Sequence, residues 1–337
     1  MKNNSLPIVC ISCGDPNGIG IEIILKSLKD ERILEFFTPV IFSNVQLLLS
    51  QKKLFNLQID FHKIKINEKP VFGKINVINV WEDIFELDFG KSTKKSGELS
   101  FKSLEAATNY LKEDKADVLV TAPINKENIQ SEKFNFPGHT DYLSNQLKGD
   151  SLMFMISDEL KLGLLTDHVS LKDIISNINP EKIKKKISIM EHSLKIDFGI
   201  IKPKIAVLSI NPHAGDGGVI GSEDQTILMP TLIEISKSGT LISGPFSSDS
   251  FFGARLYKKY DAVLAIYHDQ GLIPFKTLSF GEGVNYTAGL KKIRTSPDHG
   301  TGYDIAGKNI AEAASFKNAI FSALEILKKR NSLDDLK

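Results

Sequence analysis

Cysteine is scarce in this sequence, with two among 337 residues, and the pair, Cys10 and Cys13, spells a C-x-x-C. That spacing suggests redox or metal chemistry, but it lies inside "LPIVCISC", a β-branched apolar strand in which residues three apart point to opposite faces. A redox motif would also want Cys13 at a helix N-terminus, where a "GDPNG" turn follows instead. The two thiols are expected to be structural. Long apolar runs are missing too: none approaches the roughly 18 residues of a membrane helix, and "MKNNSLPIVCISCGDP" lacks the apolar core and cleavage site of a signal peptide. A cytoplasmic protein is expected. Nor is there an excess of either charge, since 42 Lys and Arg face 41 Asp and Glu for a net +1. No overall field then recruits a nucleic acid or an anionic membrane, which leaves small molecules or another protein as partners.

Nucleotide-binding fingerprints are absent as well. "GDPNGIG" follows a strand and opens a helix, but Ile23 stands where the third glycine of G-x-G-x-x-G belongs, and no G-x-x-x-x-G-K-[ST] occurs. The stretch reads as a tight turn with Asn17 near the helix N-cap, or as a helix N-terminus facing an anion. What is present is an alternation of apolar strands and amphipathic helices, without repeats or low-complexity linkers, which is an α/β pattern. The length exceeds what one hydrophobic core usually serves, so two domains are expected. Ile21, Ile23, Ile24, Leu25 and Leu28 mark a buried helix face; Leu104, Ala107 and Leu111 mark another, followed by the strand "DVLVTA". The lysines of "PEKIKKKISIMEHSL" read as a solvated helix face.

Three of the seven histidines end apolar runs: "LGLLTDH" at His168, "IAVLSINPH" at His213 and "AVLAIYH" at His268. In open α/β sheets ligands bind beyond the carboxyl ends of the strands, where such residues are delivered. Three neutral imidazoles with an open fourth position suit a catalytic divalent cation, zinc best of all. Their wide separation in the chain matches no zinc finger.

In order along the chain, "GDPNGIGIE", "TAPINKE", "FPGHTDYL", "TDHVSL", "NPHAGDGGVIGSED", "YHDQG" and "IRTSPDHGTGYDIAGK" closely resemble the 4-hydroxythreonine-4-phosphate dehydrogenase family of pyridoxal phosphate biosynthesis. The resemblance covers almost the whole chain. It implies two α/β domains with a cleft between them, as in isocitrate and isopropylmalate dehydrogenases, formed by residues 1–140 with 285–337 and by residues 141–284, the second carrying the metal histidines. It also implies a divalent cation (zinc, magnesium, manganese or cobalt) on His168, His213 and His268. Substrate contacts then fall on His139, Thr140, Lys276, Asn285 and Arg294. The family's site is completed across a homodimer, with His168 placed on one chain and His213 and His268 on the other.

The family reaction oxidises the C3 hydroxyl of 4-phosphooxy-L-threonine with NAD and releases carbon dioxide, leaving 3-amino-2-oxopropyl phosphate. Arg294 and Lys276 are natural partners of the phosphate, His139 has the titration range of a proton shuttle, and Asp249 can accept a proton or support the metal. The residues around Asp249, "GPFSSDSFF", depart from the family's "PADT"-like pattern. "DHGTGYDIAGK" resembles the adenosine-binding stretch of isocitrate dehydrogenases, which makes His299, Gly300 and Asp304 the candidates for NAD (or NADP) and accounts for the missing fingerprint. Within the same class, the substrate can instead be a phosphorylated four-carbon sugar acid such as threonate or erythronate 4-phosphate. From other classes, a phosphate acetyltransferase-like transferase and a metal hydrolase remain as alternatives.

Overall fold

The computed structural model describes residues 6–279 and 281–334. It divides into two compact units, Met1–Lys148 with Lys291–Leu327, and Gly149–Leu290 with Lys328–Lys337. These boundaries differ from the expected 140/141 and 284/285 for two reasons. The helix His139–Leu147 packs on the first unit's helix Lys94–Lys112, and the strand Val284–Ala288 pairs with Leu152–Ile156 of the second.

The first unit holds strands β1 (Ile8–Ser12), β2 (Thr38–Ser43), β3 (Phe61–Ile64), β4 (Ile75–Asn79) and β5 (Val118–Thr121). The second holds β6 (Leu152–Ile156), β7 (Lys161–Leu164), β8 (Lys204–Leu208), β9 (Leu241–Phe246), β10 (Ala262–Ala265) and β11 (Val284–Ala288), after which β12 (Ile293–Pro297) belongs again to the first. The helices are α1 (Gly20–Leu28), α2 (Val45–Leu54), α3 (Lys94–Lys112), α4 (His139–Leu147), α5 (Pro180–Ile196), α6 (Met229–Lys237), α7 (Ser248–Gly253), α8 (His268–Leu278) and α9 (Ala314–Asp334).

In the first unit the strand order is β3-β4-β2-β1-β5-β12, and every pair is parallel. Helices cover both faces of such a sheet, so its central strands are largely apolar, and β2 and β5 are buried at every residue. Cys10 and Cys13 sit in and just after β1, fully buried and unbridged. Burial pushes the Cys13 thiol up to about 11, so it stays protonated and inert. On α1 the five expected apolar residues are all buried, each contributing roughly 1.5–3 kcal/mol of transfer free energy. On α3 a capping box closes the N-terminus, the Ser96 N–H donating to Thr93 Oγ1 at 3.1 Å, and Leu104, Ala107 and Leu111 face inward.

Asn17 does not cap α1, whose first turn has no side-chain cap. It is buried instead: Nδ2 donates to the Lys91 carbonyl and Oδ1 accepts from the Asp88 N–H, each at 3.0 Å. Its partners lie some seventy residues away, so no local signal reveals them. The turn itself is close-packed: Gly14 has φ +68°, and a Cβ there would meet the Pro123 carbonyl at 2.3 Å.

The second unit is mixed. Its order is β11-β6-β7-β10-β8-β9, antiparallel at β11/β6 and β6/β7 and parallel from β7 through β9. On α5, Asn179 caps the N-terminus and Pro180 occupies the first turn. Its lysines make surface pairs, Lys184 with Glu234 and Lys185 with Asp150, as a solvated face should. In the core of the unit, Asp197 accepts from Arg330 Nε at 2.7 Å and from the Tyr286 hydroxyl at 2.6 Å, which ties the end of α9 into this unit. Among the described residues no helix is long and apolar enough to cross a membrane.

Candidate functional site

The first unit brings Arg294, His139 and Thr140 into buried or half-buried positions. Arg294 lies on β12 opposite Leu119 of β5, and its side chain leans along the sheet to Thr121, to whose Oγ1 it donates from Nη2 at 2.6 Å. It is 1% exposed. Burial lowers the guanidinium to about 9, which leaves it charged at neutral pH. His139 opens α4 after Gly138, with Thr140 buried behind it. The helix start rests on an aromatic cluster in which Phe134, Phe136 and Tyr142 stand 5.2–5.6 Å apart, with Phe101 next to them.

Burial, then the charges of Arg294 and Lys126, hold His139 well below its usual pKa of 6.5, so it is neutral at pH 7. Its Nε2 is buried and accepts or donates no hydrogen bond in the chain. Two cations and an unsatisfied imidazole nitrogen describe a place for an anion that also carries a hydrogen-bonding group. The sequence flagged His139, Thr140 and Arg294; it passed over Lys126, although "TAPINKE" contains it, and Thr121.

The glycine-rich stretch after β12 packs on the turn before α1. The Ile19 N–H donates to the Thr301 carbonyl at 2.9 Å, and a Cβ on Gly18 would meet that same oxygen at 2.6 Å. Asp15, fully buried, gathers the Ser96 hydroxyl at 3.0 Å, Asn128 Nδ2 at 2.7 Å and the Tyr303 hydroxyl at 2.8 Å on one carboxylate oxygen. Beside this hub, His299 Nδ1 lies 3.0 Å from the Gly300 carbonyl while Nε2 is buried without a partner. Gly300 has open space where a Cβ would project, and Asp304 is exposed. An unsatisfied acceptor nitrogen beside a bare backbone suits a flat polar ligand such as a nucleotide base.

In the second unit the three strand-ending histidines follow neighbouring parallel strands, in the spatial order β7-β10-β8. Thr166, two residues before His168, donates from its N–H and its hydroxyl to the Ile266 carbonyl at 3.0 and 2.7 Å. That brings the His168 and His268 rings to 6.0 Å between centroids. His268 Nδ1 lies 2.7 Å from Asp269 Oδ1, a carboxylate–imidazole contact that orients the ring and leaves Nε2 for another partner.

Among the described residues no three His, Cys, Asp or Glu side chains are grouped closely enough to hold a metal. His213 begins a left-handed stretch, with φ of 53°, 53°, 80°, 42° and 66° from His213 to Gly217. Three of these five are not glycine, and each such residue is disfavoured by roughly 1–2 kcal/mol. The stretch is anchored by Asp224, fully buried, which accepts from the Ile210 and Asn211 N–H groups, both at 2.8 Å. Within one chain the ring contact is between His168 and His268, since Thr166 ties β7's end to β10's, whereas the expected arrangement groups His213 with His268.

His213 lines a cavity of about 760 Å³ together with Asp249, Asp269, Phe252, Tyr267 and Ile273. Hydrogen bonds from Ser247, at 2.6 Å, and Ser250 hold the Asp249 carboxyl below its usual range, so it is ionised at neutral pH. Lys276 is exposed on α8, and Asn285, on β11, has a buried Oδ1 without a partner. Asp269 follows His268 directly at the end of its apolar run; Thr166 and Asp224 were not singled out from the sequence.

Residues 35–323 match the family described as pyridoxal phosphate biosynthetic protein PdxA. Over 332 residues the chain is 42% identical to the 4-hydroxythreonine-4-phosphate dehydrogenase of Bacteroides thetaiotaomicron, an alignment spanning 98% of this chain and 91% of that protein. It is 34% identical over 330 residues to the D-threonate 4-phosphate dehydrogenase of Cupriavidus necator, spanning 96% and 98%. The crystal structure of 4-hydroxythreonine-4-phosphate dehydrogenase from Klebsiella pneumoniae superposes with a TM-score of 0.81 at 32% identity, covering 96% of this chain and 99% of that one. With a match across most of its length and these identities, the chain belongs to the PdxA family of pyridoxal phosphate biosynthesis, a family of dehydrogenases.

Proposed function

We propose that this enzyme oxidises 4-phosphooxy-L-threonine at C3 with NAD and the help of a divalent cation, and releases carbon dioxide to give 3-amino-2-oxopropyl phosphate. The observation that supports the reading is the His168–His268 pair, with Asp269 orienting one ring, which would supply two imidazoles of a three-imidazole cation site. His213 of a second copy of the chain is the proposed third ligand, which makes the working unit a homodimer. A cation bound there makes a substrate hydroxyl easier to deprotonate and stabilises negative charge on its oxygen. NAD, when bound, supplies the hydride acceptor, and His299, Gly300 and Asp304 are the residues proposed to hold it.

The chain's own groups have separable tasks. Arg294 grips the substrate phosphate with a fixed charge, and Lys276 adds a second. Neutral His139, beside Thr140, orients the substrate by hydrogen bonding. Asp249, ionised at neutral pH, is available to take the C3 hydroxyl proton. Once carbon dioxide has left, the carbon that carried it needs a proton, and Lys276 is the charged donor for that step; Asn285, with its unsatisfied oxygen, can accept from the substrate's amino group.

A second reading is favoured by the relative in Cupriavidus necator: a four-carbon phosphorylated sugar acid, with a hydroxyl where threonine has its amino group. Absorbance of the reduced cofactor, followed with phosphorylated threonine, threonate and erythronate and with NAD and NADP, separates the substrates. Faster turnover of phosphothreonine is expected. Preference for threonate phosphate would replace the substrate, and no reduced cofactor with any of them would sink the dehydrogenase reading. Chelation should abolish turnover and zinc, magnesium, manganese or cobalt should restore it.

A further inference from the structure

Gln270, two residues after His268, makes three hydrogen bonds to three separate elements. Its Oε1 accepts from the Ile266 N–H at 2.6 Å, and its Nε2 donates to the Ser209 carbonyl at 2.7 Å and to the Ser248 hydroxyl at 2.8 Å. Both amide protons and one carbonyl lone pair are thereby used, and a flipped amide would set N–H against N–H and oxygen against oxygen. The orientation is unique.

Each contact lies beside a site residue. Ser209 leaves β8 four residues before His213, Ser248 directly precedes Asp249, and Ile266 leaves β10 two residues before His268. The carbonyl of the same Ile266 receives Thr166, which carries His168. A simple cap of α8 would need only the Ile266 bond; the two donations to β8's end and to α7 go beyond that.

We propose that Gln270 is a positioning residue, a clip that holds the ends of β8 and β10 and the start of α7 in one register and so places His213, Asp249 and His268. The proposal rests on reading the histidines as cation ligands. Gln270 touches no reacting group itself; it acts through the loops it joins.

The test uses the full chain as wild type, Gln270→Ala, Gln270→Glu and a control, Met190→Ala, which opens the core of the same unit on α5. Cobalt binding is followed by visible absorption, and amide hydrogen exchange is measured on metal-free protein. Gln270→Ala should weaken cobalt binding about tenfold, the lower end of what losing an outer support does to a metal site. Exchange should accelerate at least about tenfold within 209–218 and 247–250 and change little elsewhere in the unit. Gln270→Glu keeps the Ile266 bond and lets the Ser248 hydroxyl turn and donate, but loses the Ser209 bond, so it should fall between wild type and Gln270→Ala. Met190→Ala should lower the melting temperature at least as much as Gln270→Ala while binding cobalt like wild type.

Wild-type exchange in Gln270→Ala would overturn the clip, as would a uniform acceleration matching the control. So would local loosening with an unchanged cobalt constant, because the ligands would then not depend on it. A wild-type protein that binds no cobalt would instead remove the cation reading, and the exchange pattern would still decide whether the clip exists.

Discussion

The two units carry their proposed functional side chains in opposite ways. In the first, an all-parallel sheet buries Arg294 to 1% exposure, and an aromatic cluster and a capping box finish the surroundings before any ligand arrives. In the second, His168 and His213 are exposed on turns, and His213 sits in a left-handed stretch held from below by Asp224. Gripping a fixed charge favours donors that are immobile and dry. Assembling a cation site from separate loops leaves ligands exposed until all of them converge, and strain at such a place is affordable only where the rest of the unit over-determines it.

The sharpest way to break this contrast is to ask whether the proposed cation ligands belong to one chain. His168→Ala, His213→Ala and His268→Ala homodimers should each be nearly inactive, since every site lacks a ligand. Co-expressed under different tags, His213→Ala with His168→Ala should recover about half of the wild-type activity in the mixed dimer, and so should His213→Ala with His268→Ala. His168→Ala with His268→Ala should stay inactive, because the two rings that stand together are lost from complementary chains. Recovery by that last pair would support the grouping of His213 with His268, and recovery by none would mean one chain builds its own site.

The first unit is tested by its arginine. Arg294→Ala should lower kcat/KM for the phosphorylated substrate by about 2–4 kcal/mol in transition-state free energy, and much less for the unphosphorylated analogue. Equal losses would take the phosphate away from Arg294.

The smallest effect sharpens the picture of a dry site. His139 is neutral in the folded chain because burial, then Arg294 and Lys126, depress its pKa, whereas unfolded it titrates near 6.5. The unfolded state therefore binds more protons between those values, and the stability this residue contributes is present above about pH 6.5 and lost as pH falls through the lowered value. Unfolding of His139→Gln, followed in denaturant from pH 7 downwards, should depend less steeply on pH than that of wild type. An unchanged slope would mean His139 is not held neutral.

The strand ends were legible because an apolar run that stops on a histidine is a local signal: "TDH", "NPH" and "YHD" each lie where their strands end. That the His168 and His268 rings approach was not, since it depends on Thr166 bonding the Ile266 carbonyl of a strand some hundred residues on, which no short string encodes. In the same way "GDPNGIG" announced a turn, yet Asn17's partners at Asp88 and Lys91, and Asp15's at Ser96, Asn128 and Tyr303, are brought in by the fold from far along the chain. That His213, Ala214 and Asp216 share the left-handed conformation with the glycines of "HAGDGG" has no local signal either.

The strand β12 completes the first unit although more than 170 residues of chain separate it from its neighbour β5. On the ribosome, which adds about 5–20 residues each second, β5 must wait roughly ten seconds or more with one edge unpaired while the whole of Gly149–Leu290 is made. The second unit's own strands are thus all synthesised first, and Arg294, which arrives on that late strand, is among the last of the proposed substrate contacts to exist. Nascent chains halted before Ile293 would carry an open parallel edge of the kind that recruits other chains, so a chaperone has its longest opportunity on this protein during that interval.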